Sequence, residues 1–175
     1  AFEVNLNNCS FRLDEGFVPF QPLIPQTNTP TTIRGVGIEG FDLNGQLNIR
    51  NSHFFAENQE ENLYISGVLL GGESIEANTK VFIHDNEWYY ATGIQSSCIE
   101  LNGEFPASTS TDIFKNHFLF DPFRFNVRND ANAIWGRQGD KSNLHIYANT
   151  FVGDESNDFA GDPATPHRGY GIKLS

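Results

Sequence analysis

Five copies of one short pattern run through this 175-residue chain: Val4-x-Leu6-x-x-Cys9-x-Phe11, Leu47-x-Ile49-x-x-Ser52-x-Phe54, Val81-x-Ile83-x-x-Asn86-x-Trp88, Thr111-x-Ile113-x-x-Asn116-x-Phe118 and Leu144-x-Ile146-x-x-Asn149-x-Phe151. Each pairs two alternating strand residues with a small polar turn residue and then an aromatic. The central aliphatic residues Leu6, Ile49, Ile83, Ile113 and Ile146 lie 43, 34, 30 and 33 residues apart. A fixed local spacing on an elastic period is what stacked coils joined by loops of variable length produce. The chain therefore announces an architecture before it announces any chemistry.

A second block recurs further along each period: Phe41-x-Leu43, Val68-x-Leu70, Ile99-x-Leu101, Ala133-x-Trp135 and Ile172-x-Leu174. The first three are followed by turn pairs ending in glycine, Asn44-Gly45, Gly71-Gly72 and Asn102-Gly103. Glycine at such a corner suits a positive φ, where a Cβ would clash. The period-2 alternation places aliphatic and aromatic residues on one side and polar residues on the other. Helical repeats do not fit, because no window keeps an apolar i, i+3, i+4, i+7 pattern through the dense Gly, Asn and Asp punctuation.

Strand, corner, strand and loop in this order resembles the right-handed parallel β-helix of pectin-lyase-like and tailspike-like proteins. The Ile-x-x-Asn-x-Phe blocks and the Gly171-Ile172-Lys173-Leu174 block carry that resemblance over essentially the whole chain. It implies that Asn86, Asn116 and Asn149 stack as a side-chain ladder, with Cys9 and Ser52 in the same place in the first two coils. A β-propeller also repeats at about 40 residues, but its blades carry four strands and only two are legible per repeat here. The expectation is thus an all-β chain forming a single domain over residues 1–175, a right-handed parallel β-helix segment of about five coils. Because Phe2 begins inside a repeat and Leu174 stops inside one, the sequence reads as part of a longer solenoid. Further coils or end-to-end self-association would cover its terminal strands.

A net charge of −11 argues against a nucleic-acid partner, which needs a basic footprint. No apolar run approaches the roughly 18 residues of a membrane-spanning helix, so membrane insertion is not expected. Phe is abundant, at 16 residues, and Met absent, which predicts a rigid core of rings and branched chains. Cys9 and Cys98 fall on different sides of the solenoid and about two coils apart at roughly 4.8 Å per coil. That is too far for a disulfide, so both are expected to be free, buried thiols.

Function is written less clearly. Loops on one face of a solenoid usually carry the binding residues, and two long ones stand out. Residues 17–32 hold Pro19, Pro22, Pro25 and Pro30, an extended semi-rigid arm. The second, residues 153–168, holds Asp154, Glu155, Asp158 and Asp162, followed by His167 and Arg168. The four acids could form an oxygen cage for calcium, although their spacing matches no EF-hand and a solvated acidic loop is the preferred reading. His167 and Arg168 suit an acidic sugar. Coil four adds Asp121, Arg124, Arg128 and Asp130. A polysaccharide lyase or glycoside hydrolase would need such a base, or a pair of carboxylates, but a surface ion-pair cluster is the plainer account. Asp121-Pro122-Phe123 departs at its third residue from the Asp-Pro-His of alginate epimerases, and the Asn-Thr-Asp and Gly-His-Gly signatures of pectin-type hydrolases are not found. Tyr89, Tyr90 and Phe123 are candidate sugar-stacking rings. His53 and His117, each just before a repeat aromatic, predict a shared outer row.

These readings lead to an exported, extracellular or cell-surface, non-catalytic module that binds a glycan or a protein, or acts as a rigid spacer. No resident cofactor is expected, calcium being the one cation the acidic loop could accept. The alternative is a segment of a lyase or hydrolase acting on an acidic polysaccharide.

Overall fold

A computed structural model describes residues 2–13, 33–41, 43–58, 63–72, 78–92, 95–103, 105, 108–120, 130–137, 139, 143–153 and 168–175. Coil one is β1 (Phe2–Asn7), β2 (Ser10–Leu13) and β3 (Ile33–Phe41); coil two is β4 (Gly45–Arg50), β5 (His53–Asn58) and β6 (Leu63–Gly72). Coil three is β7 (Lys80–His84), β8 (Glu87–Thr92) and β9 (Gln95–Gly103). Coil four is β10 (Ser110–Phe114), β11 (His117–Phe120) and β12 (Asp130–Arg137), and coil five is β13 (Leu144–Tyr147), β14 (Thr150–Gly153) and β15 (Arg168–Leu174). Like strands of successive coils pair, giving three five-stranded sheets in the orders β1-β4-β7-β10-β13, β2-β5-β8-β11-β14 and β3-β6-β9-β12-β15. Every pairing is parallel. The fold is a parallel β-helix of five coils.

The spacing of the sequence copies is the register of the structure. Leu6, Ile49, Ile83, Ile113 and Ile146 stand in one column of the first sheet. Phe11, Phe54, Trp88, Phe118 and Phe151 stand in one column of the second. These rings form a continuous stack with centroids 4.7, 3.9, 5.6 and 5.2 Å apart, close to the strand spacing that sets it. Ile49, Ile83, Ile113, Val68, Ile99, Ile134, Leu70 and Leu101 are fully buried around it.

Two details differ from the sequence reading. Each coil has three strands rather than two, because the small polar residue of the first block is a corner that splits it. The residue before that corner, Asn8, Asn51, Asp85, Lys115 or Ala148, turns through the left-handed region with φ of 58°, 48°, 54°, 53° and 54°. Asn and Asp tolerate that region, whereas Lys and Ala carry no such signal. The second-block alignment also shifts in two coils. The true columns are Ile38, Val68, Ile99, Ile134, Ile172 and Gly40, Leu70, Leu101, Gly136, Leu174. Leu43 hides the first shift: a Cβ added to Gly40 would lie 3.1 Å from its Cδ2, so Leu43 occupies the space that a longer side chain would take. In coil four Trp135 lies between the inward columns and packs outside the core cluster. The glycine corners hold as expected at Gly45 (φ 129°) and Gly103 (φ 108°).

At the polar corner the expected ladder forms. Asn116 donates from Nδ2 to the Ile83 carbonyl of the coil before (2.9 Å), and its Oδ1 accepts from the backbone N–H (3.2 Å) and Nδ2 (2.9 Å) of Asn86. Asn149 repeats this toward coil four, reaching the Ile113 carbonyl at 2.8 Å and the Asn116 N–H at 2.9 Å. Ser52 takes over with a hydroxyl that accepts the Cys9 N–H at 3.2 Å. Removing a buried amide of this kind leaves a donor and an acceptor without partners, at about 1–3 kcal/mol each. Asn116→Ala should therefore lower the unfolding free energy in urea by about 2–4 kcal/mol, with Asn116→Ser falling between it and the native protein. Trp88 gives the opposite case, since its buried Nε1 has no hydrogen-bond partner. Trp88→Phe should shift the same transition by less than about 1.5 kcal/mol, against about 3–5 for Trp88→Ala.

Candidate functional site

Alternation sends one residue of each strand outward, and translation by one coil turns those residues into columns. On the second sheet the outward column is Arg12, Phe55, Tyr89, Leu119 and Val152. Phe55 and Tyr89 stack at 5.0 Å and 17°, and the Arg12 guanidinium lies 4.8 Å over the Phe55 ring. On the first sheet the corresponding column runs Asn7, Arg50, His84, Phe114, Tyr147. There His84 and Phe114 stack at 4.7 Å and 5°, and Phe114 and Tyr147 at 5.0 Å and 1°. Rings stacked in this way turn their edges to solvent along the column, and the final ring, Tyr147, is 49% exposed. His84 is further held by Asn48 Oδ1 at 3.1 Å and Asp85 Oδ2 at 2.6 Å.

Histidine and carboxylate share the neighbouring columns. His53, Glu87 and His117 stand in succession, as the expected outer row, and His53 Nδ1 meets Glu87 Oε2 at 3.0 Å. His145 Nδ1 meets Asp112 Oδ1 at 3.2 Å across one coil. Among the described residues no group of three His, Cys, Asp or Glu is placed to hold a metal ion.

The third sheet behaves differently. Its outward residues Leu69, Glu100 and Trp135 are buried, at 1%, 3% and 9% exposure. Glu100 accepts the Ser66 hydroxyl at 2.7 Å and pairs with Arg137 at 3.2 Å. The Arg137 guanidinium and Lys173 ammonium lie 4.4 and 4.9 Å from the Trp135 ring. Sequence reading missed this cluster, since its members come from four strands on four coils and no local motif joins them. Removing one partner from such a pair is costly, because the other charge is then left buried with less compensation.

Of the candidates read from the sequence, Tyr89 is the one whose side chain is described, and it sits in the outward column. Tyr90 lies in β8 between Ala56 and Phe120. Asp130 opens β12 and Arg168 opens β15, and the two are paired across adjacent coils. The structure thus juxtaposes the backbone of two positions that the sequence had placed in separate candidate clusters. Asp121, Phe123, Arg124, Arg128, Asp154, Glu155, Asp158, Asp162 and His167 lie outside the described residues. Both cysteines are free; Cys98 is buried, with its pKa pushed well above the ordinary thiol range by desolvation, and Cys9 is half-buried. Comparison with known proteins adds no neighbour: no family model, curated protein or solved structure matches the chain.

The buried ion pair yields a direct test. Arg137→Ala should remove this cation from Glu100 and lower thermal stability, by about 1–3 kcal/mol given that Arg137 is partly solvated. Glu100→Gln should cost less, because the amide still accepts the Ser66 hydroxyl; calorimetry on the two variants distinguishes them.

Proposed function

We propose that this chain is a non-catalytic β-helix module, exported or displayed at a cell surface, whose ring-lined outer faces hold a glycan. The observation that carries this reading is the pair of outward aromatic columns, Phe55–Tyr89 and Phe114–Tyr147, built on rigid sheets. The ring edges along these columns, and the outer face of Tyr147 at the end of one of them, offer apolar contact to the C–H faces of pyranoses. Stacking fixes these rings before a ligand arrives, so little side-chain entropy is lost on binding. A net charge of −11 repels uronate polymers and favours neutral or basic ones. That same charge is what weakens the alternative of a lyase or hydrolase acting on an acidic polysaccharide. A protein ligand, or a spacer role with no ligand, is the competing outcome of the test.

The protein should be retained on immobilised neutral polysaccharides and release no product from them. Phe55→Ala, Tyr89→Ala and Tyr147→Ala should each weaken retention by about tenfold, or ~1.4 kcal/mol. The assay runs a panel of neutral and uronate polymers with and without calcium, reading reducing ends, unsaturated products and retention together. New reducing ends or unsaturated products would move the chain to the enzyme class. Absence of retention on every polymer would sink the glycan reading.

A further inference from the structure

Two of the corner dipeptides in the repeat, Asn44-Gly45 and Asn102-Gly103, are the same in sequence and differ in setting. Asn44 is exposed and lies in the turn between β3, which ends at Phe41, and β4, which begins at Gly45. Asn102 lies half-buried inside β9, paired with Gly71 on one side and Arg137 on the other. Its carbonyl is packed so closely that a Cβ on Gly71 would collide with it. A third asparagine completes the comparison. The pairing of Gln46, Lys80 and Ser110 sets Asn44, Asn78 and Ser108 at one corner, each two residues earlier. All three are exposed, so the exposure is a property of this corner in the middle coils too. Asn78, however, is followed by Thr79, which is β-branched and buried. Of the three asparagines, Asn44 alone combines an exposed turn with a following glycine.

We propose that Asn44 is a site of covalent self-modification, converting to isoaspartate and aspartate through a cyclic imide. The Gly45 backbone nitrogen, losing its proton to solvent base, attacks the Asn44 side-chain carbonyl carbon. A C–N bond forms, the Cγ–Nδ2 bond breaks, and the amide nitrogen leaves as ammonia. Water then opens the ring. Addition at the Asn44 main-chain carbonyl gives isoaspartate, and addition at Cγ gives aspartate; neither route oxidises or reduces anything. The first step needs the following nitrogen to swing onto the asparagine side chain, which a glycine permits and a Cβ hinders. It also needs an asparagine whose backbone is not held within a strand ladder. The product reaches the core because this corner is anchored on its other side. The Leu43 carbonyl accepts the Thr79 hydroxyl at 2.9 Å, and the buried Leu43 side chain packs over Gly40. Isoaspartate inserts a methylene into the main chain between that anchor and Gly45, and leaves a carboxylate at the corner. Aspartate leaves the same charge without the added length.

Peptide mapping by mass spectrometry tests this on the folded 175-residue protein held at mildly alkaline pH. The Asn44 peptide should gain about 1 Da and resolve into two products, about tenfold faster than the Asn78 or Asn102 peptides. Isotope-labelled water should place solvent oxygen in both products. In urea, where strand pairing is gone, Asn102 should catch up with Asn44, while Asn78 still lags behind its β-branched neighbour. The aged protein should unfold at a lower urea concentration, and Asn44→Asp, which carries the charge alone, should not. No conversion of Asn44 in the folded protein overturns the proposal, and so does conversion of Asn102 at the same rate. An Asn102 that stays slow in urea refutes the protection assigned to β9. A native midpoint in the aged protein refutes the effect on the core.

Discussion

Everything in this molecule depends on successive coils turning their polar corner at the same place. Parallel strands cannot satisfy their backbone groups within a coil, so each strand relies on the coils above and below. The corner enforces the alignment with short, repeated bonds. The N–H of His53, Glu87, His117 and Thr150 each donates to the carbonyl of the corner residue one coil earlier, in every case at 2.9 Å. The Asn side chains then tie the interior of the corner to both neighbouring coils. A slip of one residue would lose these bonds and turn the aliphatic columns outward. The corner is thus both a hydrogen-bond satisfier and a register pin.

Once register is held, side chains can only form columns, and the chemistry of the protein becomes a chemistry of columns. Inside, rings stack on rings and branched residues on branched residues, so a single substitution is felt by the residues above and below it. Outside, the same translation makes ladders of rings, His–carboxylate pairs and cation–ring contacts. Such a surface is rigid and periodic along the axis.

The three sheets are not equivalent. The first and second leave their ring columns half-buried, with Tyr147 exposed, whereas the third keeps Leu69, Glu100 and Trp135 covered. Arg137 and the Ser66 hydroxyl reach Glu100 and help offset the cost of burying it beside Trp135. The third sheet is thus covered on both faces in the middle coils, whereas the other two turn ring edges outward.

The sequence by itself determined the coil count, the first-block register, the Asn ladder and the separation of the two thiols. Its signal was local: a fixed spacing of aliphatic, polar and aromatic residues, each forced by strand alternation and a tight corner. Where the signal weakened, the reading slipped. The left-handed residues at Lys115 and Ala148 look like ordinary strand positions, so the third strand per coil stayed hidden. Leu43 imitates a column residue because it fills the space left by Gly40 from a neighbouring corner. Only the tertiary structure decided which outward residues meet. Tyr89 was a candidate from the start, but its stacking partner Phe55 lies 34 residues away in the chain, and Arg12, which covers Phe55, lies 77 residues away. The Glu100, Arg137, Trp135 and Lys173 cluster carries no motif at all. Stacking by translation brings together residues whose sequence separation is set by loop length, and loop length is what the repeat leaves free.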